Sequence, residues 1–316
     1  MSAAGTAPRT LRVEHETRYE YDAEVELARH LAHLRPRDTP WQRVRRWRLD
    51  IDPPPDPHPG APGTPDNAHP PGVSLSQDVW GNWRSVFSHS KVHDQLSVRS
   101  VFVVELRPRP ALVPADSPAW ETVARSLCYR AGTTCETATE FALPSAYAPR
   151  DPALAEYGRA SFTPGRPLLE AAVDLMRRVH RDFEYAPDAT SVSTRAPEAL
   201  SQHKGVCQDF AHVMIGAMRN LGLAARYVSG YLLTRPPPGQ PRLVGADATH
   251  AWVEAWCPAQ GWVGLDPTND IPADLDHVTV AWGRDYADVA PLRGVIRGGG
   301  HVEPSVAVTV EPLEGA

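Results

Sequence analysis

Cysteine is scarce: four residues in a chain of 316 are too few for a disulfide scaffold, and in a reducing compartment they are expected as free thiols. Cys128 and Cys135 would bridge only in an exported protein. No apolar run is long enough to span a bilayer, and Met1 to Thr10 lack the apolar core of a signal peptide, so the expected compartment is the cytoplasm. Positive charge is not in excess. A formal charge of -6 gives no general pull toward nucleic acid or an anionic membrane, and neither is expected as a partner. Also missing are a phosphate loop, a Gly-x-Ser-x-Gly elbow and a His-Glu-x-x-His helix, which sets aside nucleotide hydrolases, serine esterases and zincins. Proline, by contrast, is plentiful: 33 residues point to many turns and extended loops in an otherwise ordinary globular composition of 42% apolar and 22% charged residues. The length suits two domains.

From Leu11 to Pro108 the pattern is of extended runs, Leu11–Tyr21, Val44–Ile51 and Leu96–Val104, with β-branched or aromatic residues in partial two-residue alternation. This stretch, residues 1–110, reads as an N-terminal β-sandwich domain. Pro53 to Gly72 is too rich in Pro and Gly to continue a ladder and reads as a long surface loop. Asp78 to Trp83 reads as a reversal at Gly81-Asn82. A connector, 111–165, holds one short helix around Ala119 to Cys128. Residues 166–316 form the second expected domain. Its first helix runs from Pro167 to about Phe183, and a second begins at Cys207 and closes at Asn220-Leu221-Gly222. Extended runs follow at Ala225–Leu233, Thr249–Cys257 and Trp262–Asp266, which suggest an antiparallel sheet. Residues 271–300 read as ordered loops, and Val302–Val310 as a final strand. The fold class is therefore α+β, with a cysteine-bearing helix packed on a sheet.

Three residues carry candidate chemistry. Cys207 follows Gly205-Val206 at a helix start, where unpaired first-turn amides favour thiolate over thiol. His250 and Asp266 lie on consecutive strands. If Trp256 pairs with Trp262, then Asp266 faces Trp252, and His250 becomes its diagonal neighbour, with β-carbons about 7–8 Å apart and side chains able to hydrogen-bond. A register slipped by one residue would put them on opposite faces. In this scheme Cys207 is the nucleophile, His250 the base, and Asp266 the group that fixes the imidazole. The Cys207 amide is a natural oxyanion donor. Taken singly, each has a blander reading: a buried thiol, a structural histidine, a turn aspartate before proline.

The joint pattern is more specific. Gly205-Val206-Cys207-Gln208-Asp209-Phe210-Ala211-His212, Ala225-Arg226-Tyr227-Val228-Ser229-Gly230-Tyr231, His250-Ala251-Trp252-Val253-Glu254 and Gly261-Trp262-Val263-Gly264-Leu265-Asp266-Pro267-Thr268 closely resemble the bacterial transglutaminase-like family. The resemblance covers roughly residues 166–290. In the N-terminal half, Tyr19-Glu20-Tyr21, Leu34-Arg35-Pro36-Arg37 and Gly81-Asn82 are similar to that family's β domain. It implies a papain-like cysteine fold, with Cys207, His250 and Asp266 matching the family's catalytic residues, and acyl transfer from an amide through a thioester. Gln202 is a candidate second oxyanion donor, by analogy with cysteine proteases that carry a glutamine before the nucleophile. Gln208 stands where animal transglutaminases carry tryptophan, which argues against protein cross-linking, and water is favoured as acceptor because it needs no second binding site. The expected substrate is a peptide or small amide. An alternative of another class is a non-catalytic module holding a peptide in a cleft near Trp252, Trp256 and Trp262.

No cofactor or metal is called for. His203, Cys207 and His212 have a spacing that suits a tetrahedral site poorly, so His212 is expected to hydrogen-bond in the core and Asp209 to meet the helix's positive end. Asp270, Asp274 and Asp276 lack a calcium loop's glycine and terminal glutamate and read as a solvated turn. Arg43, Arg45, Arg46 and Arg48 fall on both faces of a strand and read as solvated or salt-bridged.

Overall fold

The computed structural model describes residues 7–57, 64, 66–129, 131–132, 135–234 and 249–313. Strand β1, Arg9–Ala32, is long because its inward positions Leu11, Val13, His15 and Thr17 alternate with half-buried ones, as a one-sided sheet requires. It is followed by β2 (Gln42–Asp52), β3 (Asn67–Ala68), β4 (Ser74–Gln77), β5 (Trp83–His89) and β6 (His93–Leu106). All six join one curled sheet in the order β3-β2-β6-β1-β5-β4. The N-terminal β layer is thus a single sheet bent back on itself. The irregularity between Glu20 and Val25 divides β1 into a half paired with β6 and a half paired with β5.

The connector holds the expected helix, α1 (Trp120–Ser126), and one more, α2 (Pro152–Arg159). Asp151 caps α2 by accepting from the amides of Ala153 and Leu154, and Pro152 fills its first turn, a start signal hidden among scattered prolines. Helix α3 (Leu168–Asp182) leads through β7 (Glu184–Tyr185), α4 (Ala196–Gln202) and β8 (Lys204–Gly205) to α5 (Cys207–Asn220). Helix α5 is buried almost all round. It lies against α2, α3 and α4 on one side and against β9 (Ala225–Leu232) and β10 (Thr249–Cys257) on the other.

Strand β10 turns at Pro258–Gln260 into β11 (Gly261–Asp266), which is followed by β12 (Ile271–Pro272) and β13 (His277–Gly283). These build an antiparallel sheet, β12-β11-β10-β9-β13. The expected loops of 271–300 are therefore mostly ordered elements, completed by α6 (Tyr286–Val289) and β14 (Leu292–Gly298). The reason is burial. His277 to Ala281 are all buried, so the polar His277 and Thr279 that alternate with Val278 and Val280 face protein rather than solvent. The chain ends on β15 (Ser305–Pro312). Strands β14 and β15 both pair with β1, so the last strand, expected with residues 166–316, completes the first sheet by covering β1's open edge. No helix among the described residues is long and apolar enough to cross a membrane.

Two side-chain amides join the sheets. Gln42 donates to the Thr279 carbonyl and accepts from the Thr279 amide, at 2.7 and 2.9 Å. Asn82 does the same with Trp282, at 2.7 and 3.0 Å. Each amide mimics a neighbouring peptide and satisfies the free edge of β13. Arg37 extends the joint by stacking on Trp282, whose ring also lies 3.7 Å from the Arg226 guanidinium. Asn82 is fully buried, so Asn82→Ala orphans a backbone donor and acceptor. We expect a loss of about 1–3 kcal/mol, read as a lower urea midpoint at unchanged m-value.

Candidate active site

Cys207 is the first residue of α5, and the chain reaches it through a close contact. A β-carbon on Gly205 would sit 2.4 Å from Asp209 Oδ2, the oxygen that accepts from the Val206 amide at 2.8 Å and from the Thr190 hydroxyl at 2.7 Å. Asp209 therefore caps the helix that presents the thiol, at the helix's positive end as expected. The Cys207 amide is one of the first-turn donors that no helical carbonyl satisfies. Cys207 is half-buried, and its Sγ lies 4.0 Å from the Thr249 carbonyl oxygen.

The strands carry the other two groups. Trp256 pairs with Trp262 and Val253 with Leu265, so the register is the one that puts His250 and Asp266 on one face. His250 Nε2 donates to Asp266 Oδ2 at 2.7 Å, and the Cys207 thiol lies near enough to act on the ring's charge. Burial pulls the His250 imidazolium down, but Asp266 and Cys207 outweigh it and push its pKa up to about 10. Asp266 is fully buried, which alone would raise its pKa, yet the His250, His277 and Asn269 donors hold it well below the usual carboxylate range. Sulfur, imidazole and carboxylate thus stand in series, with charge favoured on both His250 and Asp266.

Two contributors to this cluster lie outside the three residues picked from sequence. His277 Nε2 approaches Asp266 Oδ2 at 3.2 Å, and Asn269 Nδ2 donates to the same oxygen at 2.8 Å. The Thr268 and Asn269 amides donate to Oδ1 at 2.9 and 3.2 Å. Asp266 is therefore the turn residue its place before Pro267 suggests and an anchor for His250 at once. The Asp266-Pro267-Thr268-Asn269 turn carried a readable signal for Asn269. His277 had none, because it begins a strand read as loop.

The remaining sequence candidates lie elsewhere. Gln202 is exposed at the C-terminal end of α4. His212 is fully buried between Tyr147 and Tyr227, where its Nε2 accepts from the Tyr286 amide at 3.2 Å. Asp276 pairs with Arg9, Arg45 with Glu105 and Arg48 with Asp50. The donor atoms of His250, Asp266 and His277 fall within 4.8 Å of one another, close enough to be weighed as a metal site. Their polarity argues for hydrogen bonding instead. His277 Nδ1 accepts from the Asp274 amide at 3.3 Å, which leaves its proton on Nε2, where a cation would need the lone pair.

A cleft of about 900 Å³ is lined in part by Trp41, Arg109, Trp262 and His277 but by none of Cys207, His250 and Asp266. Trp252 is fully buried, so the Trp-rich cleft considered as a peptide groove does not include it.

Comparison with known proteins agrees with this architecture. The transglutaminase-like superfamily model matches residues 156–267, and the bacterial transglutaminase-like N-terminal region matches residues 11–59. An uncharacterized protein of Mycobacterium tuberculosis is 41% identical over 96% of this chain and 93% of its own length. A protein-glutamine gamma-glutamyltransferase of Pseudomonas aeruginosa is 35% identical over 46% of this chain and 22% of its own length. Among solved structures, a proposed cysteine protease from Cytophaga hutchinsonii shares the fold at a TM-score of 0.72 and 18% identity, covering 98% of this chain and 92% of that one. The chain belongs to the bacterial transglutaminase-like family.

Proposed function

We propose that the protein is a cysteine-dependent amide-bond enzyme working through a thioester. The Cys207 thiolate attacks the amide carbonyl carbon, and the oxyanion is held by the Cys207 backbone amide. The C–N bond then breaks as His250 gives its proton to the departing amine. Water, deprotonated by His250, attacks the thioester, releases the acid and restores Cys207. Asp266 stabilises the imidazolium and orients the ring throughout. The observation that carries this reading is His250 held at 2.7 Å by a fully buried carboxylate, with the half-buried Cys207 thiol at the start of α5 close enough to act on its charge.

Water is the favoured acceptor because it needs no second binding site, and the acyl donor is a peptide or small amide. The test uses iodoacetamide on native protein at pH 6, where an ordinary thiol is scarcely ionised. Cys207 should be alkylated at least about tenfold faster than the exposed Cys128 and Cys135. Even labelling of the four cysteines would favour a non-catalytic peptide-binding module instead.

A further inference from the structure

We propose that His277 is a positioning residue that holds the Asp266 carboxylate in place as a neutral hydrogen-bond donor. The inference rests on reading Cys207, His250 and Asp266 as the catalytic groups, and it assigns a task to a histidine that the reaction itself leaves idle.

The placement is unusual for a structural histidine. In the sheet order, β13 is separated from β11 by β10 and β9, yet the His277 ring reaches Asp266. Gly230 makes room. It lies opposite His250 in register, and a β-carbon there would come within 2.7 Å of the Trp252 ring. Trp252 in turn meets the His277 ring edge to face at 5.2 Å between centroids. The two histidine rings stand 6.2 Å apart and converge on the same carboxylate oxygen.

The tautomer follows from the backbone. Because the Asp274 amide donates to Nδ1 at 3.3 Å, Nε2 carries the ring proton and donates it to Asp266 Oδ2 at 3.2 Å. Burial pulls the His277 pKa down despite the nearby carboxylate, so the ring is uncharged at neutral pH. This distinction matters for catalysis. A charged neighbour would compete with His250 for the single negative charge of Asp266, whereas a neutral N–H fixes the carboxylate and leaves that charge to stabilise the imidazolium. Asp266 is thereby held on both oxygens, by two backbone amides on Oδ1 and by three side chains on Oδ2.

The experiment follows the pH dependence of Cys207 alkylation by iodoacetamide in native protein, H277F and H277Q. Phenylalanine keeps much of the ring's bulk without the donor, and glutamine returns an N–H near the Nε2 position. With one donor gone the Asp266 carboxylate is held less firmly in line with His250 and stabilises the imidazolium, and with it the thiolate, less well, so the acid limb of the H277F profile should move up by about one pH unit. Its rate at pH 6 should fall by up to about tenfold, the most that a one-unit shift of the limb can give. H277Q should stay within about threefold of native at the same pH, since the bond to the charged carboxylate is kept. A native-like profile in H277F, or equal impairment in H277Q and H277F, overturns the role. Native protein without selective Cys207 labelling instead sinks the catalytic reading itself, so the two failures are told apart. Nitrogen-15 NMR of native protein gives a check that needs no variant: Nε2 of His277 must be protonated at neutral pH, and an unprotonated Nε2 overturns the assignment.

Discussion

Asp266→Asn should lower turnover of an activated ester such as p-nitrophenyl acetate about 10³–10⁴-fold while the protein stays folded. The cause is a conflict of donors. Asp266 Oδ2 accepts from His250, His277 and Asn269, and Oδ1 accepts from two backbone amides. Asparagine brings two donors of its own into this ring of five. With its NH₂ at the Oδ2 position it faces the His250 proton, and with the amide reversed it faces the Thr268 and Asn269 amides. Either way His250 is driven to the other tautomer or out of line with Cys207.

The pH dependence carries the same signature with a definite sign. His250 is raised to about 10, so the pairing with Asp266 contributes stability fully below the ordinary histidine value and loses it as pH rises toward about 10. General acid assistance to the leaving group should end over that same upper window. In Asp266→Asn the ring loses its anionic partner, and the alkaline limb should move down toward about 6.5. Asp266 shows the opposite sense. Its lowered pKa gives stability present above the ordinary carboxylate value and lost as acid protonates the folded protein. A variant whose alkaline limb stays with native would show that Asp266 is not the group that charges His250.

How much of this was legible from sequence depends on where each residue sits relative to the core. The Cys207 helix was readable from a period of apolar positions and a glycine on either side, and β10 and β11 from their aromatic and β-branched runs. Their register could be worked out because a short turn allows few alternatives, and Trp256 does pair with Trp262. His277 was invisible for the opposite reason. Its strand is buried on both faces and follows a run of Pro and Asp that reads as loop, and a bond between residues three strands apart in the sheet has no local trace. Strand β14 was hidden by exposure instead: Leu292-Arg293-Gly294-Val295-Ile296-Arg297-Gly298 is mostly exposed, interrupted by one glycine and ended by another. Only the edge of β1's second half that β5 leaves open requires it to be a strand. The joint between the sheets was equally silent, since Gln42 and Asn82 reveal nothing until β13 lies beside them.

Arg219→Met should destabilise the protein by about 3–5 kcal/mol, the largest stability effect expected here outside the site. Arg219 lies near the far end of the helix that begins with Cys207 and is 1% exposed. Its guanidinium donates to the carbonyls of Phe141, Ala225 and Arg284 and to the Ser145 hydroxyl, at 2.7–3.0 Å. Those acceptors belong to the connector, the start of β9 and the approach to α6, so one side chain ties three separate segments to α5. Burial pulls its pKa down to about 10, still far above neutrality, and the charge is met by oriented carbonyls rather than by a direct ion pair. Methionine fills much of the space and removes the charge, but it leaves three buried carbonyls without donors, each costing about 1–3 kcal/mol before relaxation. Chemical denaturation should show the loss as a lower midpoint, and lysine in place of methionine should recover only part of it, because a single ammonium cannot reach all four acceptors. The chemistry should respond differently from the stability. In the fraction that remains folded, Cys207 alkylation should keep the native pH profile, because nothing at residue 219 touches His250 or Asp266. A profile shifted in parallel with stability would mean that the two ends of α5 move as one element, and that the thiol's position depends on how firmly the opposite end of its helix is held.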